Sequence, residues 1–259
     1  MDEKQTFFDF AAEVGLTKHL GGVAATELLV DLCRINQDSY VLDVGCGAGV
    51  TACFLASKTG CKVMGIDIHP GMVEKSRQRV EREQLVDQVE FRVADVQKLP
   101  FSDDTFDAVI SESVTAFPKD KALAVREYVR VTKPGGYIGL NESTWLKYPP
   151  TQAMIEWVSQ DVGATVEPLQ SHQWQELLSN AGLTDLVSNV SCVDVKEESM
   201  GIMQRYGCGG LLRILGRAFR LYLSNPEYRN FVKRTQQQGV VPDAITEYFG
   251  YGLYVGKKV

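Results

Sequence analysis

Glycines at alternate positions mark the stretch of this sequence whose residue types are best suited to binding a ligand. The apolar run Tyr40 to Val44 leads into a loop that contains Gly45, Gly47 and Gly49, and a helical pattern begins at Val50. This order predicts a strand, a tight turn and a helix. Glycine has no Cβ atom and adopts dihedral angles closed to other residues, so a ligand can approach such a loop closely. The loop alone is a weak signal, because many tight turns between a strand and a helix are rich in glycine.

Acidic side chains recur at or near the ends of successive predicted strands. They are Asp43, Asp67, Asp95 and Glu112. Open parallel sheets bind ligands beyond the carboxyl ends of their strands, so we expect these carboxylates to face one crevice. Asp67 follows Gly49 by 18 residues, and a carboxylate so placed can accept hydrogen bonds from both ribose hydroxyls of a nucleotide-like ligand. The alternative interpretations are a helix cap at Asp67 and four unrelated, solvated carboxylates.

Strand-like and helix-like patterns alternate through most of the chain. These elements position the glycine loop and the four acidic side chains. The alternation predicts an α/β fold with seven strands in a mostly parallel sheet. We interpret residues 1–259 as one domain. Its expected parts are an N-terminal helical flap at 1–37, a cofactor-binding core at 38–195, a helical insertion at 196–240 and a last, antiparallel edge strand at 241–259.

Composition narrows the class of protein. The chain has 259 residues, of which 44% are hydrophobic and 23% charged, which suits one large folded domain. No run of about 18 apolar residues occurs, so we expect a soluble, cytoplasmic protein without integral membrane association. The net charge of -6 argues against general nucleic-acid binding. The six cysteines show no CxxC spacing, so we expect reduced thiols and no metal site.

The predicted insertion is strongly basic. Seven Lys and Arg residues but only one acid, Glu227, lie between Arg205 and Arg234. Three arginines at helical spacing, 213, 217 and 220, form a stripe beside apolar neighbours. A solvated helix face is one interpretation. The others are recognition of an anionic acceptor, docking on a second subunit to form a homo-oligomer, or contact with an anionic membrane, and we favour the subunit or pocket-roof role.

Several motifs together resemble those of the class I methyltransferases that use S-adenosylmethionine. They are the run VLDVGCGAG, Asp67 in GIDIHPGMV, Asp95 in VADVQKLPFSDDTFD and the KPGG turn, within roughly residues 38–145. The resemblance implies a doubly wound, Rossmann-like, seven-stranded sheet with helices on both faces. It also implies in-line transfer of a methyl group from S-adenosylmethionine to a small-molecule acceptor, which leaves S-adenosyl-L-homocysteine.

The same resemblance implies a role for individual residues at the cofactor. The glycine loop would follow the methionine and ribose portions, and the acids after the second and third strands would hold the ribose and the adenine amino group. Ile68 and Met72 would pack against the purine, and Asp43 would face the ammonium group through water. The full set is Asp43, Gly45, Cys46, Gly47, Gly49, Asp67, Ile68, Met72, Asp95, Val96 and Glu112.

Candidates for the acceptor side are weaker. The flap contributes His19, Gly21 and Gly22. Its two glycines either touch a ligand or, with the rest of the flap, only cover one edge of the sheet. Trp145 and Tyr148 follow the fifth predicted strand and are interpreted as walls of the acceptor pocket. The sequence singles out no catalytic base. Candidates for that role are His19, Glu112, Glu142, Tyr148 and His172.

Two other functions remain as alternatives. A nicotinamide-dependent oxidoreductase also has a glycine loop and a strand-end acid. However, its G-x-G-x-x-G pattern needs glycine at position 50, which is Val50 here. Asp43 would also lie poorly beside a pyrophosphate and well beside an ammonium or a sulfonium. The second alternative is a non-catalytic module that binds S-adenosylmethionine without turnover.

Overall fold

A mixed β-sheet forms the centre of the protein in the computed structural model, which describes residues 7–17, 19–162, 166–193, 195–237 and 244–259. Within these ranges the sheet has eight strands in the order β3-β2-β1-β4-β5-β8-β7, and β6 pairs with the end of β5. The strands are β1 Tyr40–Val44, β2 Lys62–Asp67, β3 Val89–Val93, β4 Phe106–Glu112, β5 Thr132–Trp145, β6 Leu169–Gln170, β7 Leu183–Cys192 and β8 Phe249–Lys258.

The strand order reverses beside β1, which is central to the sheet. The chain runs from β1 outward to β2 and β3, then returns to place β4 and β5 on the other side of β1. All of these pairs are parallel, and β8 is antiparallel to both β5 and β7. A reversal of this kind leaves a crevice at the carboxyl ends of the two strands that flank it. Here those strands are β1 and β4.

Helices cover both faces of the sheet in the described part of the chain. They are α1 Phe7–Val14, α2 Gly22–Leu32, α3 Val50–Thr59, α4 Pro70–Arg82, α5 Lys121–Val131, α6 Gln152–Val162, α7 Ser171–Asn180, α8 Val195–Ser224, α9 Pro226–Gln237 and α10 Ile245–Tyr248. Successive side chains of a strand point to opposite faces. Accordingly, Val41 of β1 joins an apolar cluster with Leu29 of α2 and Leu55 of α3, and Leu42 joins another with Val125 of α5 and Trp174 of α7.

The basic insertion forms α8 and α9. Gly207 in α8 has dihedral angles of φ 60° and ψ 172°, so the helix consists of two segments joined at a kink. The helix contacts α1, α2 and α9. Tyr206 and Ile214 are buried, whereas Leu212, Leu215 and Phe219 are exposed. The insertion therefore covers part of the core through one face and presents apolar side chains on another.

The predicted elements agree with the structure in type and order, and several boundaries differ. The two-residue strand β6 was not predicted, and β3 ends at Val93, so Asp95 lies beyond it. The KPGG segment does not precede the fifth strand but bulges out of it, because pairing jumps from Phe106↔Thr132 to Ala108↔Tyr137. The last strand begins at Phe249, after the short helix α10. It is antiparallel as predicted, but the prediction of an edge strand is wrong, because β8 pairs with β5 on one side and with β7 on the other. Within the described residues no helix has the length and apolar character needed to cross a membrane.

The cysteines are free thiols. Cys33, Cys46, Cys53 and Cys61 are buried, and burial raises the pKa of each of these thiols. Such buried thiols behave as small apolar side chains. Cys46 and Cys53, in and just after the glycine loop, are therefore packing residues.

The core around β1 gives a direct test of this packing. Leu42 has no exposed surface, whereas Leu212 is 70% exposed. We expect Leu42→Ala to lower the free energy of unfolding by about 2–5 kcal/mol, because it leaves a cavity between the sheet and α5. Leu212→Ala removes the same atoms from the surface and should change that energy by about 0.5 kcal/mol or less. Urea denaturation measures both, and equal losses would show that the β1 face is not the core.

Candidate active site

The glycine loop after β1 has the backbone that its composition predicts. Gly45, Gly47 and Gly49 have φ angles of 66°, 52° and 74°, all in the left-handed region. A Cβ atom at Gly45 would lie 2.2 Å from the side chain of Val114, and one at Gly47 would lie 2.5 Å from that of Thr17. Any other residue at these two positions therefore meets both backbone strain and steric overlap.

Asp67 ties the glycine loop to the end of β2. Its Oδ2 accepts a hydrogen bond from the amide of Gly47 at 3.0 Å, and its Oδ1 accepts one from the amide of His69 at 2.8 Å. Burial raises the pKa of this carboxyl, and the two amide bonds oppose that shift. The helix cap belongs to His69, whose Nδ1 accepts from the amide of Gly71 at 3.1 Å. This cap agrees with the preference of Pro for the first helical position, here Pro70, and Asp67 is not the cap of α4.

Glu112, at the end of β4, is buried in a network of polar side chains. It accepts hydrogen bonds from the hydroxyls of Thr26 at 3.0 Å and Thr51 at 2.9 Å, and from the amide of Asn141 at 3.4 Å. Nε2 of His19 lies 3.3 Å from its Oε2. Burial raises the pKa of Glu112 to about 7, although these hydrogen bonds act in the opposite direction. The network joins α2, α3, β4 and β5 around one carboxyl group.

A cavity of about 40 Å³ lies between the glycine loop, Glu112 and α8. Its side chains come from four separate parts of the sequence. They are Thr17, His19, Asp43, Gly45, Cys46, Val50, Thr51, Glu112 and Arg205. The hydroxyl of Tyr206 accepts from the amide of Thr17 at 2.8 Å and donates to its carbonyl at 2.9 Å, which holds α8 against the segment before α2.

Two side chains that line this cavity, one acidic and one basic, each have a buried atom without a hydrogen-bond partner in the described structure. Oδ2 of Asp43 and Nη2 of Arg205 are inaccessible to solvent, and neither has a partner among the described residues. Burial raises the pKa of Asp43 well above its ordinary value, and the Glu112 and Asp67 carboxylates raise it further. Burial lowers the pKa of Arg205 to about 10. Buried polar groups are rarely left unpaired, so the pair indicates a ligand with both an acceptor and a donor.

The structure brings most of the predicted cofactor residues to one side of the molecule. Asp43, Gly45, Cys46 and Glu112 line the cavity, and Asp67 lies beside it through Gly47. Beyond β2 and β3, the remaining residues differ in exposure. Ile68 is 69% exposed, Asp95 is exposed and accepts from the amide of Gln97, and Val96 is half-buried. Met72 is buried against Ala11 and Ala12 of α1, and its contact with the purine stays a prediction.

The acceptor-side predictions fare less well. Of these residues, only His19 lines the cavity, and both of its ring nitrogens have protein partners. A Cβ at Gly21 would overlap the ring of Tyr251 at 2.6 Å, whereas one at Gly22 would lie 3.4 Å from the backbone of Gly201, an ordinary contact distance. Contact of these two glycines with a ligand stays a prediction.

The two aromatic residues after β5 also lie away from the cavity. Trp145 is 7% exposed and packs edge-on against Phe249 in an apolar cluster, so it is a core residue. Tyr148 is 66% exposed, at the start of a loop that continues with Pro149 and Pro150. Neither residue lines the cavity described above, and their role as walls of an acceptor pocket stays a prediction.

Sequence reasoning missed five polar residues of the site, namely Thr17, Thr26, Thr51, Asn141 and Arg205. Thr51 could have been found, because it lies in the first turn of the helix after the glycine loop. Thr17, Thr26, Asn141 and Arg205 carry no local motif. Only the tertiary fold brings them to the β1 and β4 ends.

Comparisons with known proteins agree with this geometry. Residues 42–140 match the family described as "Methyltransferase domain". An uncharacterized protein of Haemophilus influenzae is 30% identical over 223 residues, which cover 85% of this chain and 88% of that protein. Methyltransferase GfsG of Streptomyces halstedii is 40% identical over 120 residues, 46% of this chain and 43% of that protein, so the match spans under half of each.

A solved structure extends the likeness over nearly the whole fold. Phosphoethanolamine N-methyltransferase 2 of Haemonchus contortus, in complex with S-adenosyl-L-methionine, superposes with a TM-score of 0.71 at 20% identity. The superposition covers 96% of this chain and 56% of that chain. The family match over residues 42–140 and the sequence relatives place the chain among the class I S-adenosylmethionine-dependent methyltransferases, and the superposition shows that it has their fold.

The raised pKa of Glu112 generates a prediction about stability. Its ordinary value is 4.5 and its folded value is about 7. Folding therefore favours the protonated form, and the free energy of unfolding falls as pH rises from 4.5 through about 7. We expect Glu112→Gln to make this decrease in the free energy of unfolding smaller by about 2–3 kcal/mol. Urea denaturation at pH of about 5 and about 8 measures it.

The matched control for this prediction is Glu81→Gln, which removes the same charge at an exposed position of α4. It should retain the pH dependence of the wild type. Should Glu112→Gln also retain it in full, Glu112 is ionised throughout this range and the burial argument is wrong.

Proposed function

We propose that this protein transfers the methyl group of S-adenosylmethionine to a small-molecule acceptor in the cavity beside Glu112. The observation that carries the proposal is the pair of unpartnered buried groups, Oδ2 of Asp43 and Nη2 of Arg205. The methionine part of this cofactor has an ammonium and a carboxylate on one carbon. A carboxylate and a guanidinium on one cavity are complementary to those two charges.

The remaining cofactor contacts follow from the strand ends. A carboxylate has about four acceptor sites, and Asp67 uses two of them for the amides of Gly47 and His69. The other two are available to the ribose hydroxyls. Asp95, exposed beyond β3, and the half-buried Val96 are the proposed adenine contacts, with the exposed Ile68 against the purine.

The chemistry asks the protein mainly for positioning and for exclusion of water. When bound, the cofactor supplies a methyl group already activated on a sulfonium. Alignment of the acceptor with that group can contribute most of the rate enhancement. Burial raises the pKa of both Asp43 and Glu112, and a cation bound at the methionine end favours their ionised forms, so cation binding and ionisation of these acids reinforce each other. Since both nitrogens of His19 have protein partners, we assign it to support of Glu112 and not to proton transfer.

A small acceptor suits the enclosure of the site. The segment before α2 and the helix α8 cover the cavity and are joined by the Tyr206–Thr17 hydrogen bonds. A folded protein or a nucleic-acid duplex cannot enter so covered a site. A protein that only binds the cofactor would have the same enclosure, so turnover is the measurement that separates these two functions.

Binding and turnover together test the proposal. Titration calorimetry should detect S-adenosylmethionine and S-adenosyl-L-homocysteine and no NAD. Transfer of a labelled methyl group should then be measured with a panel of small amines, alcohols, thiols and carbon acids. Binding of NAD in place of the methyl donor would support the oxidoreductase alternative. Donor binding without transfer to any acceptor class would support a non-catalytic module.

Asp67 provides the sharpest single-residue prediction. Asp67→Ala should weaken S-adenosyl-L-homocysteine binding by about 1.5–3 kcal/mol for each charge-assisted hydrogen bond lost, or about tenfold or more. Asp103→Ala, which removes a carboxylate whose side chain is 73% exposed, should leave the affinity unchanged. Calorimetry gives both affinities, and thermal unfolding without ligand checks the fold. Unchanged affinity in a folded Asp67→Ala protein would refute the ribose assignment.

We also propose that a second copy of the chain docks on α8. Leu212, Leu215, Phe219 and Leu223 are each at least 63% exposed and recur at helical spacing, so they form one apolar stripe. Basic residues of α8 flank the stripe, whereas the chain as a whole has a charge of -6. A second copy therefore offers a complementary, acidic surface to this basic helix.

The stripe predicts a change in assembly when it is made polar. Leu215→Asn with Phe219→Asn should lower the sedimenting mass relative to wild type, because it removes the apolar contact between copies. The control is Val86→Asn, at an exposed position far from α8 in the sequence. Leu28→Asn is not suitable as a control, because Leu28 packs against the core. Identical masses for all three proteins would exclude association through this stripe.

A further inference from the structure

A second cavity, of about 100 Å³, lies between α4 and α8, with Ala48 of the glycine loop and Gly15 also on its lining. We call it the basic cleft. Six cationic side chains line it and only one acid, Glu83, does so. The cations are Lys75, Arg79, Arg82, Arg205, Arg213 and Arg217. No role in the cofactor site accounts for the five cations other than Arg205.

The protein itself neutralises this charge incompletely. Arg79 pairs with Glu83 at 3.0 Å, and Arg82 approaches the same carboxylate at 3.4 Å. Arg217 donates to the carbonyl of Val14 at 3.4 Å. Within the described ranges, Lys75 and Arg213 have neither an ion pair nor a side-chain hydrogen bond.

Like charges brought together on two helices repel each other, and the repulsion is strongest where water is partly excluded. The four cations other than Arg79 and Arg82 have no carboxylate within ion-pair distance in the described structure. Arg79 is also held in place, because its Nε donates to the carbonyl of Ala48 at 2.8 Å and its guanidinium lies over the ring of Tyr206. Arg79 thus has a defined position, whereas the side chains of Lys75 and Arg213 have no protein partner within the described ranges. A cluster of cationic donors with so few acceptors is complementary to an anion.

We propose that the basic cleft binds the phosphate or diphosphate group of a small molecule, a function separate from binding of the methyl donor. Arginine forks match the oxygens of phosphate in pairs, and lysine adds a point charge. The cavity, at about 100 Å³, is well below the about 300–1,000 Å³ of clefts that enclose whole drug-sized ligands, so it suits a phosphoryl group better than a whole nucleotide. Arg205 lines both this cleft and the cofactor cavity, so a ligand here lies next to the methyl-donor site.

Calorimetry with inorganic phosphate and with pyrophosphate tests the proposal on the full chain at low salt. We expect saturable binding, tighter for pyrophosphate, that persists when S-adenosyl-L-homocysteine is saturating. Lys75→Gln and Arg213→Gln should each weaken pyrophosphate binding tenfold or more, and added salt should weaken it further. The matched control is Arg220→Gln, which removes the same charge from an exposed position of α8 outside the cleft and should change affinity less than twofold.

Several results would overturn the proposal. Absence of binding by either probe is one, and an equal loss in Arg220→Gln is another, because it would indicate only the general charge of α8. Loss of phosphate binding at saturating S-adenosyl-L-homocysteine would assign the anion to the cofactor's own carboxylate position. Affinity for S-adenosyl-L-homocysteine, measured in the same variants, should stay at the wild-type value. Failure of cofactor binding in the wild type would count against the proposed function, and not against the cleft.

Discussion

The burial of acidic groups where the strand order reverses is the constraint on which this structure depends. A buried carboxyl group is costly unless hydrogen bonds compensate for the loss of water. Glu112 is compensated by Thr26, Thr51 and Asn141, which come from α2, α3 and β5. Four elements must therefore meet correctly for one side chain to be satisfied. The same requirement that shapes the site also fixes how the N-terminal helices lie on the sheet.

Asp43, unlike Glu112, is buried without a full set of hydrogen bonds to compensate for the loss of water. One of its oxygens is left without a partner in the described structure, and burial beside Glu112 and Asp67 raises its pKa. Arg205 likewise keeps an unpaired nitrogen on the same cavity. Both groups reduce the stability of the protein without ligand, because neither recovers the hydrogen bonds it had with water. Proteins tolerate such costs mainly at functional sites, where a ligand completes the pairing.

The sequence predicted what local pattern controls. The strand, turn and helix around Gly45 to Gly49 were correct, since the glycine dihedrals and the apolar run are properties of consecutive residues. The alternation of strands and helices was likewise readable. Contacts between distant segments were not. Nothing in the residues around Arg205 indicates that it reaches the cavity. The packing of Trp145 on Phe249, which is 104 positions away in the chain, was likewise not readable from the residues around Trp145.

The hydrogen bonds between Tyr206 and Thr17 have a consequence for the rate of the reaction cycle. They join the helix over the cavity to the segment before α2, and the enclosed space is about 40 Å³. Clefts that hold ligands of this cofactor's size are about 300–1,000 Å³. The cavity is far below that range, so the two covering pieces must move apart wherever a ligand of that size extends beneath them. Opening of such covers takes microseconds to milliseconds and limits turnover in many enzymes. The Tyr206–Thr17 hydrogen bonds are among the contacts that such an opening breaks, so they oppose both the entry of a ligand and its release.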